Sequence, residues 1–482
     1  MGLLSWFKRP ADLRQTVESQ RIAIAEMIRA RYDAAQTTPL NTRHWSMADF
    51  LSADAALSPE VRRKIRSRVR YEVGNNSYAA GMASTWAHDL IGTGPRLQLD
   101  LGPDVDADLC RKVEMAVYDW SVEIDLARKL RIAKIAKIGD GEVLGLKTNN
   151  SRLDGVQLDM RLVEADQCAS PDGFPTERDV DGVVYDENGV PSKYWILKRH
   201  PGSNYAGYNS EGRWVDAKDV YHWFHATRPG QHRGVPELTP AIELFALMRR
   251  FTLATVTAAE VAADFAAILK STMSPDQMGA AKIEDWETMP VVRGMMTALP
   301  DGYDVTQMRS EHPVSTHDQF VRRLLNECAR AVDMPYIVAA MDSSMANYSS
   351  MRGDYLVYRK RIAVERTDVE RVFLDPLLKA WLDEAALVPG LIPDGLPPAA
   401  EWNWSWSWDG FDHIDPLKEA DAEAAQIANN TATLAEVCQK RNKDWRQVIR
   451  QRAVEVALER ELGIEPAAKT PSPAPAQENA TA

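Results

Sequence analysis

The longest apolar run in the sequence, Phe251 to Leu269, carries Glu260 and Asp264 near its middle. Charged side chains are costly at the centre of a bilayer, so this run does not predict a membrane span. The stretch from Pro236 to Leu269 is rich in Ala. It predicts one long helix or a helix pair, about 50 Å long if it is continuous. Its small side chains would let other helices approach closely, in a bundle or around a ring.

The chain around this run changes character twice. Between about residues 143 and 225 it breaks into short β-rich segments separated by Gly, Pro, Asp and Asn, whereas helical periodicity dominates elsewhere. This mixture predicts the α+β fold class. Strands are predicted at residues 95–101, 143–147, 156–162, 193–197 and 220–225, and helices at 12–35, 59–73, 79–90, 105–138, 316–333, 349–386 and 416–462.

A ladder of tryptophans follows the Pro-rich stretch at 389–398. On a strand, alternate residues share one face, so the four indoles should lie side by side. Such a face can stack nucleic-acid bases, but more often it is a core or a subunit interface, and we favour the second interpretation. The ladder consists of Trp402, Trp404, Trp406 and Trp408.

A basic stretch, RRKIRSRVR, opens at residue 62 on a predicted helix that starts with Ser58, Pro59 and Glu60. It is the best candidate for a nucleic-acid patch, although a solvated helix or a contact with an acidic neighbouring subunit is the favoured alternative. The whole chain is acidic, with 57 Lys and Arg against 69 Asp and Glu, which argues against tight binding through phosphate neutralisation. The cations are Arg62, Arg63, Lys64, Arg66, Arg68 and Arg70.

No motif predicts a catalytic centre or a cofactor. The GTG at 92–94 and the GDGE at 139–142 are too short for a phosphate-binding loop and are interpreted as turns. His222 and His225 would lie on opposite faces of a strand, which disfavours a shared metal. A second polar cluster lacks the spacing of known metal-ligand motifs; it consists of Glu311, His312, His317 and Asp318. The four Cys are far apart and predict neither a disulfide framework nor a zinc cluster.

Four segments, in this order along the chain, resemble the lambda-type portal proteins of tailed bacteriophages. They are residues 30–97, VYHWFHATRPGQHRGVPELTPAI at 220–242, MPYIVAAMDSSMANYSSMRGDY at 334–355, and WSWDGFDHIDPLKEADA at 406–422. Together they span about residues 10 to 460. Single motifs such as RPGQHRG are modestly specific, but four in register are hard to obtain by chance. The chain is therefore suspected to be a member of this family.

The resemblance implies a portal fold with an α/β wing, a long helical stem, a small clip and a helical C-terminal crown. By position, residues 1–236 would form the N-terminal arm and wing, 237–269 the stem helix, 270–290 the clip, 291–410 the second part of stem and wing, and 411–464 the crown. The Pro-rich tail at 465–482 is predicted to be disordered. A tunnel loop at about 338–350 would face DNA with short polar groups from Ser343, Ser344, Asn347, Tyr348 and Ser349.

The resemblance also implies a ring, a dodecamer, at one vertex of the virion capsid, assembled in the cytoplasm of the bacterial host. Double-stranded DNA would pass through its channel during packaging and ejection. The implied protein partners are the terminase large subunit, a head–tail adaptor, and the major capsid and scaffold proteins. Two alternatives stay open: another ring-forming head–tail connector, which would usually be much smaller, and a DNA-processing nuclease, which incubation with DNA and a divalent metal would reveal.

Overall fold

The computed structural model describes residues 38–39, 41–171, 179–204, 211–264, 268–271, 303–306, 317–411, 416–441, 443 and 445–464. The chain divides into two units between Ala56 and Leu57. In the first unit the described residues contain one short helix, α1 (Ala53–Ala56). The predicted helix at 12–35, most of the clip region at 270–290 and the tail at 465–482 lie outside the described residues.

Four helices open the second unit. α2 (Pro59–Asn75) starts where the sequence predicts, because the Ser58 side chain accepts a hydrogen bond from the Val61 N–H and Pro59 occupies the first turn. α3 (Ser77–Ile91) follows directly. The helical pattern predicted over 105–138 divides into α4 (Ala107–Glu123) and α5 (Leu126–Asp140). The break falls at Asp125, whose φ of 56° lies in the left-handed region and cannot continue a helix.

Two antiparallel sheets form the β-rich middle. The first has the order β3-β2-β8, and the second has the order β4-β5-β6-β7. β2 separates two apolar clusters, because Leu144 and Leu146 belong to the cluster at the second sheet whereas Val143 belongs to the larger helical core. The strands are β2 (Glu142–Asn149), β3 (Leu158–Val163), β4 (Asp179–Val180), β5 (Val183–Tyr185), β6 (Pro191–Leu197), β7 (Gly212–Asp216) and β8 (Val220–Phe224).

The Ala-rich helix is shorter than the predicted 237–269. A 3-10 turn at Thr239–Ala241 precedes α6 (Ile242–Asp264). Pro240 explains the late start, because proline is tolerated only in the first turn of a helix. At the other end Ile268 and Leu269 are strand residues, since β9 (Ile268–Ser271) pairs with β10 (Tyr303–Thr306). Within the described part of the chain, no helix combines the length and apolar character that crossing a membrane requires.

The region predicted as two helices joined by a loop begins with α7 (His317–Arg330) and a short α8 (Tyr336–Ala340). The second helix, predicted over 349–386, consists of α9 (Tyr348–Val369), a π-helical turn at Glu370–Leu374 and α10 (Asp375–Ala385). Pro376 lies at the start of α10. Since proline cannot donate the i→i−4 hydrogen bond, a wider turn before it accommodates the missing donor.

The end of the described chain adds one strand and three helices. β11 (Asn403–Ser407) pairs antiparallel with β1 (Arg96–Asp100), with Leu97 opposite Trp406 and Leu99 opposite Trp404. The helical segment predicted over 416–462 divides into three helices rather than one. They are α11 (Pro416–Ala428), α12 (Leu434–Lys440) and α13 (Trp445–Glu461).

Candidate functional site

The basic residues of α2 do not form one surface. Arg62 and Arg66 are buried and Arg70 is half-buried, because residues four apart lie on the same side of a helix and this side packs against the protein. Arg63, Lys64 and Arg68 are exposed on the other side. Of these six cations, only the three exposed ones can contact an external phosphate while α2 stays packed against the protein.

A buried carboxylate, Glu142, receives the inward-facing cations. Arg66 Nη2 lies 2.5 Å from Glu142 Oε1, and Arg233 Nη2 lies 2.6 Å from the same oxygen. The Gly234 N–H donates to Oε2 at 2.8 Å, and His222 Nε2 lies 3.0 Å from it. Burial alone would raise the pKa of Glu142, but the Arg233 and Arg66 guanidinium groups hold it well below its usual value. Glu142 is therefore an anion buried at the start of β2.

Arg233 holds the network together from within the RPGQHRG motif. Besides Glu142 it pairs with Asp181 Oδ2 at 3.1 Å, and its Nη1 and Nη2 donate to the Cys168 carbonyl at 3.2 Å. The next residue, Gly234, approaches the GDGE turn so closely that an added Cβ would lie 2.1 Å from the Gly141 carbonyl oxygen. The motif therefore packs against the α5–β2 junction. The GDGE segment, predicted as a turn, also supplies Glu142, the anion of the buried network.

Asp166 connects this network to the surface. Burial would raise its pKa, but Arg66 at 3.0 Å and Arg70 at 2.7 Å lower it to about 2. Among the described residues Asp166, Glu164 and His200 are the one group close enough together to share a metal ion. His200 Nδ1, however, accepts a hydrogen bond from the Gly202 N–H at 3.0 Å, which leaves the proton on Nε2 beside Asp166. With the Asp166 oxygens already bound to two arginines, we assign no metal there.

The other predicted metal candidates form no shared site among the residues that the structure describes. Glu311 and His312 lie outside the described residues. The His317 ring stacks on Phe251 with centroids 5.2 Å apart, and Asp318 pairs with Arg322 at 2.8 Å. Of the strand histidines, His222 joins the Glu142 network, whereas His225 follows the end of β8 and is exposed.

A second buried charge cluster joins α5, the turn before α6, and α9. Lys137 Nζ lies 2.8 Å from both Glu237 and Glu365, and Lys134 Nζ lies 3.0 Å from Glu237. Arg361 adds a third cation, 2.9 Å from Glu365. Both lysines are fully buried. The cluster therefore links three elements that also pack together in the main apolar core.

Of the predicted tunnel loop at 338–350, residues 341–347 connect α8 to α9, whereas 338–340 belong to α8 and 348–350 to α9. Ser343, Ser344, Asn347 and Ser349 all face solvent, while the Tyr348 side chain lies outside the described part. Two of these residues also have local roles: Asn347 caps α9 by accepting the Ser350 N–H at 2.8 Å, and Ser344 accepts from Arg322 at 3.1 Å. Asp342 pairs with the same arginine at 3.0 Å, so α7 anchors the first half of the loop.

The tryptophan ladder packs inside its own chain. Trp402 and Trp408 are buried and Trp404 and Trp406 are half-buried against the core. The indole N–H groups of Trp404 and Trp406 both donate to Asp375 Oδ1, at 2.8 and 3.0 Å, and that of Trp408 donates to Glu370 at 2.6 Å. Trp404 and Trp406 share one face of β11, and Trp402 and Trp408 flank the strand. The hydrogen-bond acceptors lie in α10 and the π-helical turn, which supports the core interpretation over base stacking.

Comparison with known proteins gives one family match. A model described as "Phage portal protein, lambda family" matches residues 40–366. A "Probable portal protein" of Halomonas phage phiHAP-1 is 23% identical over 293 residues, which are 59% of this chain and 56% of that protein. The match thus spans little more than half of that relative's length.

Two solved structures with a similar chain come from gene transfer agent particles. The neck of an empty particle, computed with C6 symmetry, has a chain that is 16% identical, with 77% of this chain and 90% of that chain covered and a TM-score of 0.46. The neck of a native particle, computed with C12 symmetry, has one that is 16% identical, with 78% and 92% covered and a TM-score of 0.44.

Proposed function

Because this chain belongs to the lambda family of phage portal proteins, we propose that its copies assemble into a closed ring at one capsid vertex, through which double-stranded DNA enters and leaves. The observation that carries the proposal is the family match over residues 40–366, which runs from before the basic helix to most of α9. Members of this family are structural proteins, so the chain is a virion component rather than an enzyme.

The regional assignment extends this proposal. Residues 1–236 would build the arm and wing, α6 the main part of the stem, residues 270–290 the clip, residues 291–410 the rest of stem and wing, and α11 to α13 the crown. We propose twelve subunits, with the terminase large subunit and a head–tail adaptor docking at the clip. Major capsid and scaffold proteins would surround the ring.

The electrostatics favour a passive channel over one that grips DNA. Cations that contact phosphates bind strongly and release counterions, whereas an acidic or neutral wall keeps the duplex mobile. The chain has a formal net charge of −12, and Arg62, Arg66 and Arg70 of the basic helix are held by carboxylates of the same chain. Arg63, Lys64 and Arg68 remain the proposed phosphate contacts of this helix.

We expect the purified full chain to form closed rings with an open centre in negative-stain electron microscopy. Native mass spectrometry would count the subunits, and a parallel incubation with plasmid DNA and Mg²⁺ should leave the DNA intact. Monodisperse monomers over a wide range of protein and salt concentrations would contradict the ring. DNA cleavage that copurifies with the protein would instead favour the nuclease alternative.

Deleting Ser343, Ser344 and Met345 should leave ring formation intact and reduce the DNA retained in filled particles. These residues are exposed, and the deletion spares both Asp342, which pairs with Arg322, and Asn347, which caps α9. DNA per particle and DNA lost during storage are the measurements. A length-preserving control replaces the same three residues with Ala. If packaging and retention equal the wild type in the deletion variant, the tunnel-loop assignment is wrong.

A further inference from the structure

Helix α9 has an apolar face on each side. Its inner face carries Tyr358, Ile362 and Val369, all of which are fully buried. On the outer face Leu356, Val357 and Val364 are 61%, 62% and 52% exposed. Seven exposed positions share this outer face by helical spacing, and one of them is charged: Gly353, Leu356, Val357, Lys360, Ala363, Val364 and Thr367. The exposed Arg352, four residues before Leu356, lies at the edge of this face.

A helix face with this composition is not typical of one that contacts water. The water-facing side of a surface helix normally carries charged and polar residues, and a helix that is apolar on both sides is normally covered on both sides. The outer face of α9 runs for about 20 Å at 1.5 Å per residue. It is therefore a continuous stripe and not a scatter of single exposed apolar residues.

Gly353 lies within this stripe and supports the same conclusion. Glycine in a helix interior costs about 1 kcal/mol relative to alanine. A Cβ added at Gly353 would meet no atom within 4 Å, so packing within this chain does not require glycine there. A residue without a side chain is useful where another backbone approaches closely. The open space above Gly353 is thus suited to a second polypeptide.

The chemistry of the stripe selects the kind of partner. A duplex needs cations opposite its phosphates, and this face has one, Lys360, with Arg352 at its edge, so DNA is a poor match. Depletion of charge with a central apolar area is typical of protein interfaces. Lys360 has no ion pair or hydrogen bond among the described residues, and a chain with 69 acidic and 57 basic residues offers acidic partners to it.

We infer that the outer face of α9 is buried against a second copy of this chain in the ring, an inference that rests on the proposed function. A closed ring joins two different patches of neighbouring subunits, so each copy must present apolar surface beyond its own core. A stripe about 20 Å long and about 10 Å wide covers about 200 Å², about a quarter of the roughly 800 Å² per partner in a standard interface. The α9 stripe is therefore one part of a larger subunit contact.

Cysteine labelling tests the burial of this face directly. The four native cysteines are all buried, so Val357→Cys adds one accessible thiol to the full chain. We expect a bulky maleimide to label Cys-substituted position 357 at least tenfold more slowly in rings than in monomers. The matched control is Val190→Cys, since Val190 is 56% exposed and lies outside α9, in the turn before β6. The control should react at equal rates in both states.

Placing charged side chains on the outer face of α9 provides a second test of the subunit contact. The double variant Leu356→Glu/Val364→Glu should stay folded by circular dichroism, because both positions face solvent in the single chain and Glu is a good helix former. It should lose rings, whereas Val190→Glu should keep them. Rings of wild-type subunit number in the double variant, with position 357 labelled equally fast in rings and monomers, would overturn this inference and leave the portal proposal standing. Absence of rings in the wild type would overturn both.

Discussion

Replacing Glu142 with Gln should lower the free energy of unfolding by about 3–5 kcal/mol, the usual cost of removing one partner from a buried ion pair. Glu142 is the shared anion of Arg66 and Arg233, and all three side chains are buried. Glutamine keeps the shape and one acceptor oxygen, but it removes the anion that two guanidinium groups share and leaves Arg66 with Asp166 and Arg233 with Asp181. Desolvated cations that lose a counterion are unfavourable in a protein interior.

Urea denaturation at one fixed protein concentration would measure this loss, because subunit assembly makes apparent stability concentration-dependent. Glu211→Gln is the matched control, since Glu211 pairs with Lys198 at 2.8 Å and both side chains are exposed. We expect the control to resemble the wild type. Equal denaturation midpoints for the Glu142 and Glu211 variants would show that the buried network contributes no stability.

Local sequence patterns predict much of the secondary structure. Ser58 and Pro59 mark the start of α2, the alternation in PRLQLDL predicts β1, and the spacing of the tryptophans places two of the four indoles on one face of β11. In each case the decisive interaction is local, because a cap or a strand face depends on residues a few positions apart. The resemblance to phage portal proteins predicted the family in the same way, from motifs that can be read in order.

The buried networks could not be predicted because their partners are distant in sequence. Arg66 meets Glu142 across 76 positions and Arg233 meets it across 91, so the basic stretch looks like a surface patch until the fold brings these groups together. A weak signal existed: Glu142 adjoins the apolar strand residues Val143 and Leu144, where a carboxylate needs a buried partner. The break at Asp125 was equally hidden, since both flanking segments have ordinary helical patterns.

The second buried cluster predicts a contrast between two substitutions. Lys134, Lys137 and Arg361 share Glu237 and Glu365, and Asp333 lies 3.9 Å from Arg361 at the exposed edge of the cluster, so around the two shared carboxylates there is one cation in excess. Glu365→Gln leaves three cations with one shared carboxylate, and we expect a loss of about 3–5 kcal/mol. Lys134→Met leaves two cations and two carboxylates, with Lys137 still 2.8 Å from both acids. We expect this variant to lie within about 1 kcal/mol of the wild type.

The pH dependence of stability in the wild type and in Lys134→Met distinguishes the excess-cation explanation from simple packing effects. Burial lowers the pKa of Lys134 below its usual value, despite the attraction of Glu237 and Glu365. A base with a lowered pKa in the folded state destabilises the fold at low pH, and this penalty disappears as the pH rises through the folded pKa towards the unfolded value of about 10.4. The wild type should therefore gain stability over this alkaline interval, and Lys134→Met should not.

Thermal denaturation of both proteins from pH 7 to pH 10, at one protein concentration, would measure that difference. We expect the stability of Lys134→Met relative to the wild type to be most favourable at pH 7 and to decline as the pH rises. Met also removes the contact of the ammonium with the Trp86 ring, 4.2 Å from its centroid. That loss disfavours the variant most at pH 7 and shrinks as the wild-type lysine deprotonates, so it would make the variant's relative stability rise with pH rather than decline. Parallel pH curves for the two proteins would mean that Lys134 titrates as it does in the unfolded chain, and the excess-cation account would then be wrong.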